Sequence, residues 1–431
     1  MTIKTQKELH SLLSFLNNSP TAWHAVANCI KELSKHGFKE LKEEEAWHLK
    51  PGGSYYVVRN GSSICAFITP KKSVKSLQVV ASHTDSPTFK LKPNPEFTKE
   101  NMIMLGLEVY GGPLITSWLN RDLGIAGRVI FTDKKGNTCE ELVKLDQNPI
   151  VIPQLAIHLD RTVNESGLIL NKQEHLAALA SLSTTKNDKT SYLERQLKKI
   201  IPLNKVLSFD LFVYPLEQAR LIGEHHELIA SYRVDNLVSV YASLLSLLES
   251  KASDAHSLKM AVSWDSEETG SNTSQGAGSP FLSHIIERIA LASNLSREEY
   301  FQLLGRSLCT SVDLAHAYHP NYSDKHEPRH QILLNHGICV KSNAQNKYAS
   351  DARSAAAIVK LCYDHKIPFQ RYVNRGDIPG GSTVGPIHAS LTGMSTVDIG
   401  CAQLSMHSCR ELTGVEDFHS LCRLLTEILA L

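Results

Sequence analysis

The sequence predicts an α/β fold in which a mainly parallel sheet carries helices on both faces and is interrupted by an inserted β-rich domain. Three observations carry this reading. Apolar runs of strand length, SICAFIT, LQVVAS, LKMAVSW, GICVKS and MSTVDIG, alternate with helical patterns that start near Asn236, Pro280, Ser296, Asp351 and Val415. These runs are apolar at nearly every residue rather than at every second one, which fits strands covered on both sides. Between about Leu91 and Leu228 the pattern changes to short alternating runs such as LGLEVYGG, GRVIFTD and VLSFDLFVYP, with the polar stretch STTKNDKTSYLERQ among them.

Taken in order, the segments divide into residues 1–90, a first part of the main domain; 91–228, the β-rich insert; and 229–431, the rest of the main domain. The opening MTIKTQKELHSLLSFLNNSP mixes polar residues into every turn and has neither a long apolar signal region nor a bilayer-length run, so a cytoplasmic protein is expected. After Pro20 a helix is expected, with His24 inside it as a structural residue. In the segment following Asp235, Leu237, Val238, Tyr241, Leu244, Leu245 and Leu248 recur at helical spacing and belong to the core. Gly380, Gly381 and Gly385, in GGSTVG, permit close backbone approach and a turn before a helix; the run lacks the lysine of a phosphate-binding loop.

Composition narrows the function classes. A chain of 431 residues with 42% hydrophobic content can bury a sizeable core and supports more than one domain. Forty-five basic residues against 44 acidic ones leave no global field for nucleic acid or an anionic membrane, so neither is an expected partner. Nine cysteines are scattered singly with no CxxC pair, which fits reduced thiols and argues against thiol catalysis and a structural zinc knuckle.

The chemistry lies where the apolar runs end. His83 and Asp85 follow LQVVAS, Glu267 and Glu268 follow KMAVSWDS, Asp313 follows LCTSV, and His407 follows CAQLSM. In open α/β sheets the site lies beyond the carboxyl ends of the strands, so these groups are expected to converge. One such residue alone is an ordinary cap or turn residue; five or six together would leave uncompensated charge unless cations neutralise it. The inventory suits a pair of divalent ions, with one carboxylate bridging, for which Asp235 in SYRVDNL is the candidate, and another left free as a base. In an extended segment neighbouring side chains point apart, so Glu267 and Glu268 are expected to divide these duties. Asp85 suits a carboxylate behind His83 that fixes its tautomer, the other reading being an Asx-turn before Pro87.

These residues and their neighbours, ASHTDSP, YRVDNL, DSEETGS, SVDLAHAYHPNYSDKHE, GGSTVGPI and QLSMHSCRE, closely resemble the aspartyl aminopeptidase family of co-catalytic metallopeptidases, from FLNNSPTAWHAV to MHSCRE. The resemblance implies His83, Asp235, Glu268, Asp313 and His407 as ligands to two divalent ions of the zinc type, with Asp235 bridging and Glu267 as the catalytic carboxylate. Glu267 would take a proton from a shared, metal-activated water and return it to the leaving amine. The free α-amine of the first residue can approach the metals or an adjacent carboxylate, so peptides with a free N-terminus are the expected substrates. His158, in IPQLAIHLDR, matches a family histidine that crosses a dimer contact into the neighbouring active site, where it could stabilise an oxyanion. Lys341, in GICVKSN, matches a lysine associated with an acidic substrate side chain; its plain alternative is a solvated charge at a strand's end. His316, His319 and Tyr348 lie in family-like segments and could line the site. The resemblance also implies that the insert mediates assembly, into dimers and then a tetrahedral dodecamer.

Two other functions compete. A catalytically silent scaffold or cargo shell would be expected to have lost Glu267 or His83, and both are present. A metal-dependent amidohydrolase of small acylated amines shares the metal logic but has no need of the amine-end selectivity or the insert.

Overall fold

The computed structural model describes residues 3–183, 191–252 and 256–431. The chain forms two compact units: Met1–Asp85 with Ala219–Met406 and Glu411–Leu431, and Ser86–Gln218 with His407–Arg410.

The first unit is built on a nine-stranded sheet in the spatial order Lys39–Glu40, Ser54–Arg59, Ser63–Ile68, Ser257–Trp264, Ser76–His83, Leu308–Val312, Ser395–Gly400, Ile338–Lys341 and Phe369–Tyr372. Its middle four strands, Ser257–Trp264 to Ser395–Gly400, run parallel. Ser63–Ile68 pairs antiparallel with both its neighbours, and Ile338–Lys341 pairs antiparallel with Ser395–Gly400. The sheet is therefore mixed around a parallel centre, and all five apolar runs singled out in the sequence are strands of it.

Both faces are covered, and the strand period of two explains how. In Ser76–His83, Leu77, Val79 and Ala81 pack with Phe281, Ile285, Ile286 and Ile289 of the helix Phe281–Ala292. Val80 points the other way, into a cluster with Leu237, Val238 and Leu247 of Val234–Glu249 and Phe418, Leu421 and Leu425 of Val415–Ala430. Each such buried Leu or Phe contributes about 1.5–3 kcal/mol relative to exposure. Two helices begin at caps legible in the sequence: Ser296 and Asp351 each accept an N3 amide, answered by Glu299 and Ser354. A five-stranded sheet completes the unit, in the order Arg220–Ile222, Leu228–Ser231, Glu411–Gly414, Ala402–Leu404 and Ala315–His316.

The second unit is a six-stranded antiparallel sheet, Thr138–Ile150, Leu123–Asp133, Leu203–Pro215, Thr88–Lys99, Met102–Tyr110 and Ala178–Leu182. Buried Phe89 and Leu91, Leu105 and Leu107, Val129 and Phe131, and Leu211 and Val213 recur at every second residue, and Trp118 meets Phe89 edge-on at 5.2 Å. At Gly127, with φ +150°, a Cβ would sit 1.9 Å from the Asp210 carbonyl oxygen, so the strand crossing there needs glycine.

The observed boundaries differ from those expected at 91 and 228. Pairing of the second unit's sheet already starts at Thr88, opposite Tyr110, while Arg220–Ile222 pairs with Leu228–Ser231 and so joins the smaller sheet of the first unit. Of the polar stretch STTKNDKTSYLERQ, residues 184–190 lie outside the described residues, and Tyr192–Leu197 is a helix capped by Ser191. No helix among the described residues is long and apolar enough to cross a membrane.

Candidate metal centre

Four segments far apart in sequence deliver side chains to one end of the parallel strands. His83 is the last residue of Ser76–His83, and Asp313 immediately follows Leu308–Val312, its neighbour in the sheet. Trp264, last residue of the strand on the other side of Ser76–His83, is in register with His83 and leads to Glu267 and Glu268. Asp235 arrives from the start of the helix Val234–Glu249, after Arg233 in the left-handed region at φ +63°.

The geometry centres on His83. Its Nδ1–H donates to the Asp85 carbonyl oxygen at 3.1 Å, with the Asp85 carboxylate 3.4 Å away, so the tautomer leaves Nε2 as the ligating atom. Nε2 lies 3.3 Å from an Asp235 oxygen and 3.6 Å from an Asp313 oxygen. His83, Asp235 and Asp313 each bring a ligand atom to within 4.8 Å of the other two, and so do His83, Glu267 and Glu268.

Asp85 does more than the sequence suggests. Besides standing behind His83, its two carboxylate oxygens each accept one amide, from Glu267 and from Glu268, both at 3.1 Å. Glu267 and Glu268 lie in a 3₁₀ turn, Glu267–Thr269, and not in the extended segment expected from the sequence. Opposed side-chain directions therefore cannot divide their roles. A turn of this kind leaves its first amides without intrahelical acceptors, and Asp85 supplies them.

Electrostatics argue that the cluster is built for cations. Burial pushes Glu267 up to about 8, with Asp313, Asp85 and Asp235 adding to the rise and His83 opposing it. Glu268 is raised well above the ordinary carboxylate range by burial and by the charges of Asp235 and Glu267. Burial disfavours a charged His83, yet hydrogen bonding to Asp235, Asp313 and Asp85 raises its pKa well above the usual value. Burial likewise opposes ionisation of Asp313, but Lys341 and His83 hold its carboxyl far below the ordinary range. Carboxylates this close and this buried must take up protons or bind cations. One imidazole nitrogen and several carboxylate oxygens are donors that zinc accepts.

Lys341 is not a solvated strand-end charge: it is 1% exposed, donates to the Leu314 carbonyl oxygen at 2.7 Å, and lies 4.0 Å from an Asp313 oxygen and 5.3 Å from the centre of the Tyr348 ring. Tyr348 is buried, which raises its pKa, and its hydroxyl donates to Asn374 at 3.5 Å. His316 is exposed on the short strand Ala315–His316. His319 accepts the Asn321 amide at 3.3 Å and packs edge-on against Tyr322. His24 lies in the helix Ala22–Lys35, the helix expected after Pro20, with Nδ1 2.8 Å from the Thr21 hydroxyl. Gly385 follows the start of the helix Val384–Thr392, and a Cβ there would meet an Asp398 oxygen at 2.4 Å.

Two expected site residues stand in the second unit. His158 lies in the exposed 3₁₀ turn Ile157–Leu159, beside the exposed apolar side chains Ile157 and Leu159. His407, within the segment 229–431 expected to belong to the main domain, groups with the second unit. Its carbonyl oxygen accepts the Leu114 amide at 2.8 Å, its Nδ1–H donates to Gly112 at 3.1 Å, and the nearby Cys409 amide donates to Ser117 at 3.0 Å. These bonds tie His407–Arg410 to residues 112–117 of that unit. Sequence reasoning assigned no role to Arg233, Asn236 or Glu411, although YRVDNL and MHSCRE contain them.

Residues 15–428 match the family described as aminopeptidase I zinc metalloprotease (M18). A probable M18 family aminopeptidase 2 of Clostridium novyi is 41% identical over 419 residues, covering 96% of each chain. Among solved structures, a chain in the complex of Ape4 and Nbr1 superposes with a TM-score of 0.93 at 34% identity, over 99% of this chain and 86% of that one. The mApe1 dodecamer of S. cerevisiae gives a TM-score of 0.85 at 27% identity, over 98% of this chain and 95% of that one.

Proposed function

The chain belongs to the M18 family of zinc metalloproteases and is a metallo-aminopeptidase, and on that premise we propose that it removes N-terminal Asp or Glu from peptides by two-metal hydrolysis with Glu267 as the base. The convergence of His83 with Asp235, Asp313, Glu267 and Glu268 from four separate segments is the observation that carries this reading. His83, Asp235, Glu268 and Asp313, joined by His407, are the proposed ligands of two zinc-type ions, with Asp235 bridging. When bound, the ions would acidify a water and polarise the scissile carbonyl.

The chain's own residues supply the rest. Glu267 already has a high proton affinity in this buried setting, and a carboxylate so placed can accept a proton from water and pass it to the leaving amine. Asp85 keeps His83 in the Nδ1–H tautomer and holds the amides of the Glu267–Glu268 turn. Lys341 is the proposed partner of the substrate's acidic side chain. Its ammonium has three donors, of which the Leu314 carbonyl takes one, and a desolvated cation favours a desolvated carboxylate. Tyr348 and His316 are the further substrate-binding candidates.

The dodecameric relative supports a homo-oligomer. In the proposed assembly, dimers form through the inserted unit, deliver His158 to the neighbouring active site and build a tetrahedral dodecamer working in the cytoplasm. An intact ligand set with its base favours the enzyme over a silent shell. A panel of aminoacyl substrates assayed with purified protein, with and without a chelator, tests the whole reading. Chelator-sensitive cleavage fastest on N-terminal Asp or Glu is expected. A preference for Leu would refute the acidic pocket, and turnover that survives complete metal removal would refute the metal mechanism.

A further inference from the structure

Glu411 opens the strand Glu411–Gly414, opposite Ser231, and is 2% exposed. Burying a carboxylate costs several kcal/mol unless donors hold it. One of its donors is the backbone N–H of Asp235, 3.0 Å from Oε2. That amide has no helical acceptor, because Asp235 has φ −83° and ψ 107°, and the helix begins its ladder only where the Leu237 amide donates to Arg233.

The turn Arg233–Asn236 is pinned at two other points, and both lead to the metal centre. The Arg233 guanidinium donates to the carbonyl of Thr84, the residue between His83 and Asp85. Asn236 Nδ2 donates to the carbonyl of Val312 at 2.8 Å, one residue before Asp313. Arg233 and Asn236 thereby set the turn against the segments of two other candidate ligands, and Glu411 holds the amide of the residue that carries the carboxylate itself. The Glu411 bond adds a tie to the backbone of the residue that lies between those two anchor points.

We propose that Glu411 is a positioning residue of the metal centre, acting through Asp235: by accepting the Asp235 N–H it fixes the direction in which that carboxylate is presented. This rests on the proposed reading of Asp235 as a ligand. Loss of a supporting partner of this kind typically weakens metal binding about 10 to 100-fold.

The test uses the full chain in its native assembly, stripped of metal and reloaded with Co²⁺ or Zn²⁺ against a competing chelator. Wild type, Glu411→Ala and Glu411→Gln are compared by affinity and by the visible Co²⁺ spectrum. Glu411→Ala is expected to bind about 10 to 100-fold more weakly, with an altered spectrum. Glu411→Gln keeps an oxygen acceptor and is expected to stay within about threefold of wild type, with its spectrum unchanged. If Glu411→Ala does not fold, Glu411→Asp, whose shorter side chain withdraws the acceptor, carries the same expectation. Metal affinity and spectrum unchanged in the Ala or Asp variant would overturn the proposal and leave Glu411 a purely structural residue. A Gln variant as weak as the Ala variant would also overturn it, since charge and not the hydrogen bond would then matter. Wild-type protein that binds neither ion would refute the metal-centre reading itself, a result distinct from variants that all bind alike.

Discussion

Asp85→Asn isolates the most specific feature of the site. In the native side chain Oδ1 accepts the Glu267 amide and Oδ2 the Glu268 amide, each at 3.1 Å. A carboxamide offers one oxygen, so one of the two amides must face an NH₂ group. The variant therefore loses one hydrogen bond to a charged acceptor, worth about 1.5–3 kcal/mol, within a nearly isosteric side chain. At about 1.4 kcal/mol per factor of ten, this equals roughly 10 to 150-fold if the loss falls wholly on the active arrangement of the turn. His83 keeps its bond to the Asp85 carbonyl oxygen, which the substitution does not alter, so its tautomer is expected to persist. The loss should therefore appear chiefly through Glu267 and Glu268, as a lower kcat and weaker metal retention, with KM moving less. Steady-state kinetics on one substrate, combined with chelator competition on the same preparation, measure both. An Asp85→Asn enzyme with wild-type kcat and metal affinity would refute the argument that Asp85 holds the glutamate turn.

Four further outcomes are expected. Glu267→Gln should keep its metals by elemental analysis while losing about 10² to 10⁴-fold in kcat; near-normal turnover of metal-replete protein would remove Glu267 as the base. Lys341→Met should lower the ratio of kcat/KM on acidic over apolar N-termini by roughly 10 to 150-fold. Because Lys341 also lies 4.0 Å from Asp313, all substrates are expected to slow somewhat, so the ratio is the measurement and an unchanged ratio refutes the pocket role. His158→Ala should cost about 10² to 10³-fold, and mixing it with Glu267→Gln under subunit exchange should restore part of the activity; no recovery after proven exchange would refute delivery across the dimer. His388 concerns stability: burial pushes its imidazole down from 6.5 to about 4, and its Nε2 accepts the Trp264 indole N–H at 2.8 Å. With the folded pKa below the unfolded one, protonation favours unfolding, so its contribution is complete above pH 6.5 and is lost as pH falls towards 4. Between pH 7 and 5 this group should remove about 2 kcal/mol from the wild type. In chemical denaturation His388→Gln should show a correspondingly smaller decline, and equal declines would refute the assignment.

Much of this protein was legible in its sequence because the signals are local. The strands of the main sheet are buried on both sides, so each reads as an apolar run, and Ser296 and Asp351 mark helix starts because an amide needs an acceptor there whatever the rest of the chain does. Candidate ligands stood out by the same logic, as charges placed where such runs stop. The tertiary structure decided what depends on distant partners. Glu267 and Glu268 look extended in sequence, but their turn is set by Asp85, 182 and 183 residues away along the chain. Lys341 looks like a strand-end charge, yet burial beside Asp313 and the Leu314 carbonyl gives it a fixed place. The expected domain boundaries missed because Thr88 and Arg220 pair with strands that local pattern cannot identify. Local pattern gave Glu411 no role, since a carboxylate that holds an amide 176 residues away has the same local sequence as one facing water. Periodicity and capping are properties of a few adjacent residues, whereas the direction of a ligand is set by hydrogen bonds between segments that meet only when the sheet has formed.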